Sequence, residues 1–135
     1  MNFRDRYLLK IRPEIISNTE NLNTRNEEIF QNKTLRPIIK LQEELLISVF
    51  RHYIQKHKNI FYNLSTEKQL DYIENAIHKD MKFRNSVKGM IIGQFTLEEH
   101  KEYIQNSSSL NKRMMHLVNG SIKNNLILLE PEIIK

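Results

Sequence analysis

A chain of 135 residues with 39% hydrophobic and 27% charged side chains suits one soluble globular domain over 1–135, large enough for a real core. The absence of cysteine removes disulfide scaffolds, zinc–thiolate sites and thiol nucleophiles at once, and makes a reducing, cytoplasmic setting the expectation. The formal charge of +5 is unevenly spread: residues 34–64 carry five Lys or Arg against two acids, whereas 96–135 balance five against five.

The segment MNFRDRYLLKIR alternates charge with hydrophobes, unlike a signal peptide. Its spacing predicts a short amphipathic helix over 2–12 with Phe3, Tyr7, Leu8 and Ile11 sharing a side. Pro13 either stops this helix or opens another turn through Ile16. Residues 17–27, SNTENLNTRNE, lack a periodic apolar face and read as an exposed or flexible connection.

A second helix is predicted from Thr34, taken as its cap, with Pro37 in the first turn, to about His57-Lys58-Asn59. Ile38, Leu41, Leu45, Val49 and His52 or Tyr53 line one side of it, and Ile39, Leu46, Phe50 and Ile54 the next. So wide a stripe predicts the most buried helix of the fold. After a short turn carrying Ile60, Phe61 and Tyr62, a third helix starts at Ser65 or Thr66, where Thr66-Glu67-Lys68-Gln69 fits a capping box. Its stripe of Leu70, Ile73, Ile77, Val87 and Ile91 is interrupted by Asp80 and Arg84, which adjoin each other on a continuous helix.

Two of only three glycines follow, in KGMIIGQFTLEEH. The G-x-x-x-G spacing fits neither a P-loop nor a dinucleotide fingerprint. Gly89 is expected to thin a packed helix face, and Gly93 to end the helix in the left-handed conformation. Thr96-Leu97-Glu98-Glu99 is the clearest helix start in the chain. The last helix runs from it through Leu126, with Ser107-Ser108-Ser109 lowering propensity in its middle and allowing a bend or a local break. The fold class expected from these elements is all-α: an up-and-down bundle of four main helices with a short N-terminal helix.

Candidate chemistry is sparse. Asp80, Arg84, Glu74 and His78 form the candidate ligand-binding set, because a charged pair on a core-facing stripe either bridges helices or floors a polar cleft. Two basic knots, Arg51, Lys56 and Lys58 with His52 and His57, and Lys79, Lys82, Arg84 and Lys88, are candidates for contact with an anion or a nucleic acid. Histidines 52, 57, 78, 100 and 116 show neither H-E-x-x-H nor E-x-x-H spacing, so no metal and no cofactor is expected. No apolar run reaches membrane-spanning length, and no membrane partner is expected.

TLRPIIKLQEELL, YIENAIHKDMKFRNSVKGMIIGQFT and YIQNSSSLNKRMM, covering most of Thr34 to Leu117, resemble a family of small all-helical bacterial proteins that commonly carry the label "glyoxalase". The resemblance implies an enzyme or small-ligand binder. The strand-borne His and Glu ligands of vicinal-oxygen-chelate glyoxalases have no matching positions here. The residues by themselves favour a non-catalytic interaction or scaffold protein that pairs with itself or another protein. A ligand pocket around Asp80 and Arg84 comes second, and nucleic-acid association third.

Overall fold

A computed structural model describes residues 1–15 and 25–131. Among these residues there are helices, turns and no strand, so the class is all-α. The elements are α1 (Phe3–Ile11), α2 (Asn26–Phe30), a π-helical turn (Gln31–Leu35), α3 (Arg36–Lys56), α4 (Thr66–Lys79), α5 (Met81–Ile92), α6 (Leu97–Gln105) and α7 (Ser107–Asn124). Short 3-10 turns occupy Ile60–Asn63 and Leu126–Leu129. No helix among the described residues is long and apolar enough to cross a membrane.

The core is shared by α3 and α7. Helix α3 packs on α5 and α7, α4 packs on the same two, and α6 packs on α7. Ile38, Leu46, Phe50 and Ile54 of α3 and Met114, Val118 and Ile122 of α7 are almost wholly buried. Of the two sides predicted for α3, the one carrying Leu46, Phe50 and Ile54 is the deeper, while Leu45 is exposed. Phe50 also centres an aromatic cluster, edge-on to Phe61, Tyr72 and Phe83 at ring separations of 5.9–6.2 Å, which ties α3 to α4, α5 and the first 3-10 turn.

Several boundaries differ from the sequence expectation for identifiable reasons. Helical backbone precedes Thr34, running from Asn26 through the π turn into α3. Pro37 offers no N–H and its ring crowds the carbonyl four residues back, so a wider turn is favoured ahead of it. There the N–H of Arg36 reaches the Gln31 carbonyl. Thr34 is therefore no cap; it is buried, and its hydroxyl donates to Glu99 across 3.0 Å. The expected connection over 17–27 overlaps this helix at Asn26 and Glu27, and its stretch 17–24 lies outside the described residues.

The long third helix is two helices. Asp80 leaves helical geometry (φ −84°, ψ 95°), closes α4 and caps α5 by accepting the N–H of Phe83. At the start of α4 the cap is Ser65, and Gln69 donates to the Phe61 carbonyl instead of closing a box. The last helix also divides, at Asn106, so of the two outcomes the serine run allowed it is the local break that forms, and the serines make the first turn of α7. Asn106 Nδ2 and Ser109 Oγ both donate to Glu27, which joins α2 to this break. The Thr96–Glu99 capping box forms as expected, with both reciprocal bonds present.

Helix α1 is docked the opposite way round from its pattern. Phe3, Tyr7 and Ile11 are exposed and Leu8 is half-buried, and the fully buried side chain is Asp5. Its polar side closes the corner between α5 and α6. Arg4 donates to the carbonyls of Gly93 and Phe95, Arg12 donates to that of Gln94, and Asp5 accepts the N–H of Leu97. Cations thus sit at the C-terminal end of α5 and a carboxylate at the N-terminal end of α6, both favoured by the helix dipoles. Pro13 ends α1 by holding Arg12 extended (ψ 134°), and residues 13–15 make no further helical turn.

Arg12 also makes a fork to Glu99 at 2.6 and 2.7 Å, both side chains being nearly buried. Burial alone would raise the Glu99 pKa. The Arg12 hydrogen bonds and charge, with the Thr96 N–H and the Thr34 hydroxyl, outweigh it and hold the carboxyl below its ordinary value.

Candidate functional site

The break at Asp80 opens a cleft that joins two lysines, two histidines, a tyrosine and a carboxylate. Because α5 starts on a new axis there, its first turn faces the last turns of α3. The cleft between them has a volume of about 420 Å³ and is lined by Val49, His52, Tyr53, Lys56 and His57 from α3, and Asp80, Lys82, Phe83 and Ser86 around α5. Spacing explains the α3 contribution: His52 and Lys56 are one turn apart, as are Tyr53 and His57.

The floor is rigid. The Tyr53 hydroxyl donates to Asp80 Oδ2 at 2.9 Å, and its ring packs on Phe83 at 4.3 Å. The His57 ring lies 4.2 Å from that of Tyr53, and His57 Nδ1 is 2.8 Å from the Tyr53 carbonyl oxygen. A carbonyl only accepts, so Nδ1 carries the proton and Nε2 is left for a ligand or water. Burial and the neighbouring Asp80 carboxylate push the Tyr53 phenol above its usual range. Asp80 moves the other way. The Phe83 N–H and the Tyr53 hydroxyl hold it below the ordinary carboxylate value against some desolvation, helped by His57 and the Lys82 N–H.

The structure brings together only part of the expected sites. Asp80 lines the cleft; Arg84, Glu74 and His78 do not. No ion pair joins Asp80 to Arg84, and their link is the backbone bond from Arg84 N–H to the Asp80 carbonyl. Once Asp80 caps α5, its carboxylate turns toward Phe83 and Tyr53, away from the i,i+4 geometry of a continuous helix. Glu74 pairs with Lys123 of α7 at 3.3 Å. From the basic knots, Lys56 and Lys82 converge on the cleft with His52 and His57, whereas Arg51, Lys58, Lys79 and Lys88 do not line it. Arg51 is half-buried, and its charge acts on Tyr62.

Tyr53 is the residue that sequence reasoning undervalued, since it appeared there only as one more member of a core stripe. Its signal is the polar tip of a half-buried tyrosine at the end of a helix, which becomes informative once Asp80 is placed opposite. Among the described residues, no group of three or more His, Asp or Glu side chains is disposed to hold a metal ion. No protein-family model, no curated protein and no solved structure matches the chain.

Proposed function

We propose that this protein is a non-catalytic binding module, built on its helical bundle, whose α3–α5 cleft takes a multiply charged oxyanion such as a phosphate group carried by its partner. The observation that supports this reading is the convergence of Lys56 at the end of α3 and Lys82 of α5, beside His52 and His57, the latter's free Nε2 donating to an oxyanion only in the imidazolium form. The single carboxylate among the lining residues, Asp80, is already occupied by Tyr53 and the Phe83 N–H. Two ammonium groups on opposing walls suit an anion, because each can approach a different oxygen.

Catalysis fits less well. A general acid or base works best with a pKa near the working pH. Here Tyr53 is pushed up and Asp80 down, so the pair is held as phenol and carboxylate across the neutral range. An extended nucleic-acid track would need further cations in line, and Lys58, Lys79 and Lys88 do not line the cleft.

The test is a titration with inorganic pyrophosphate followed by amide NMR shifts. Shifts should concentrate at 49–57 and 80–86 and weaken about tenfold in affinity for Lys56→Gln combined with Lys82→Gln. Shifts scattered over every basic surface, or unchanged in the double variant, would sink the reading.

A further inference from the structure

The apolar side of α1 faces outward. Nine of the fourteen exposed large apolar side chains among the described residues belong to α1 and its flanks, α2 and α6. Phe3, Tyr7 and Ile11 recur every four residues and form a ridge, exposed at 74%, 48% and 56%. Beside the ridge stand Arg6 and Lys10, neither of which pairs with a carboxylate among the described residues, although Lys10 lies 5.5 Å from the centre of the Tyr7 ring. This ridge cannot roll inward, because Asp5 and Arg12 fix the other side of α1 in the α5–α6 corner.

A complement to it exists on the same chain. Between α2 and the α6–α7 junction lies a groove of about 380 Å³, floored by Ile29, Phe30 and Leu110 and edged by Glu27 and Glu102. Glu102 is exposed and has no ion-pair partner among the described residues. The ridge is apolar with basic flanks; the groove has an apolar floor and one unpaired carboxylate at its edge, Glu102, since Glu27 is held by Asn106, Ser109 and Arg113. Ridge and groove lie toward opposite ends of α6, a nine-residue helix about 13 Å long. On α6 itself Leu97 and Ile104, seven residues apart and both exposed, extend the apolar surface between them.

We infer that the chain pairs with a second copy of itself, the α1 ridge of each protomer seated in the α2/α6–α7 groove of the other. A helix laid in an apolar groove is a recurrent recognition mode. Each copy carries both halves, so a two-fold axis near α6 closes the contact and makes it twice. Duplication matters, because one nine-residue helix falls short of the area that stable interfaces bury. The net charge of +5 opposes pairing at long range. The opposite signs on ridge and groove act at contact distance, where they set register and specificity.

Sedimentation velocity over a concentration series tests this. The wild type should show a monomer–dimer equilibrium. Phe3→Ser with Tyr7→Ser, or Glu102→Lys alone, should each weaken it about tenfold or more with unchanged circular dichroism. Lys10→Glu combined with Glu102→Lys should restore pairing relative to either single change. A wild type that stays monomeric at every concentration overturns the inference, as does a dimer indifferent to all these changes. A monomer that instead co-sediments with anionic phospholipid vesicles overturns it too and assigns the ridge to lipid. Lys56→Gln with Lys82→Gln should leave pairing intact, so a failure here is distinguishable from a failure of the anion cleft.

Discussion

Gly89 lies inside α5, exposed, and a Cβ built on it would meet nothing within 4 Å. The close helix crossing that its G-x-x-x-G spacing suggested is not formed. What remains of the glycine is its entropic penalty, so Gly89→Ala should raise stability by about 0.5–1 kcal/mol, read as a shift of the urea midpoint at constant slope. Gly93 departs from expectation differently. It ends α5 with right-handed backbone (φ −61°, ψ −15°), not left-handed. A Cβ there would sit 3.1 Å from the Gly89 carbonyl oxygen, a tight contact. The requirement at Gly93 is thus space beside a carbonyl, while its own carbonyl receives Arg4.

Glu99 gives the sharpest prediction at this scale. Arg12→Ala would leave a nearly buried carboxylate without its cation, which typically destabilises by about 3–5 kcal/mol. The pH dependence follows from the direction of the shift. Glu99 is a stronger acid folded than unfolded, so the native state binds fewer protons wherever the two forms differ. Its contribution is complete above the unfolded glutamate value of about 4.3 and is lost as pH falls through the lower folded value. Thermal melts on the acid side of neutrality should therefore decline less steeply for Glu99→Gln than for the wild type. Parallel curves would mean that the carboxylate is not the group responsible.

At the scale of elements, the periodic apolar runs located most of the helices and failed at their breaks. A one-residue break barely disturbs hydrophobic period: Ile77, Val87 and Ile91 are all buried although Asp80 splits the run that carries them. The same holds at Asn106, between buried Tyr103 and Leu110. Capping chemistry was legible where both partners are local, as at Thr96 and Glu99. It was not legible where the partner is remote. The reversal of α1 depends on Arg4, Asp5 and Arg12 meeting groups 82–92 residues away, and no local pattern records those distances. The cleft was half legible for the same reason: the chain names Lys56 and Lys82, but their approach depends on the break that re-aims α5. Asp80 tests that break. Asp80→Ala removes an N-cap and the acceptor for Tyr53, and should lower stability by about 1–2 kcal/mol in urea unfolding. Asp80→Asn keeps the oxygen that accepts the Phe83 N–H but turns an amide N–H toward the Tyr53 hydroxyl, so it should lose less than the alanine; equal losses would locate the effect in charge and not in capping.

For the whole molecule, the decisive coupling runs between the core and the cleft. Phe50 is fully buried and contacts Phe61, Tyr72, Phe83 and Tyr53, so one side chain braces three helices and a turn. Two of those neighbours, Tyr53 and Phe83, are also the floor of the cleft. Phe50→Ala should therefore cost about 3–5 kcal/mol, a large share of the 5–15 kcal/mol available to a small domain. Phe50→Leu keeps most of the volume and should leave a folded protein of lower stability. In that milder variant the contact that orders Tyr53 against Phe83 is loosened while Lys56 and Lys82 are untouched. Pyrophosphate affinity should then fall together with the amide-exchange protection of α5, although no charge has changed. If stability falls and affinity does not, the cations bind as independent surface groups, and the rigid aromatic floor has no part in holding the anion.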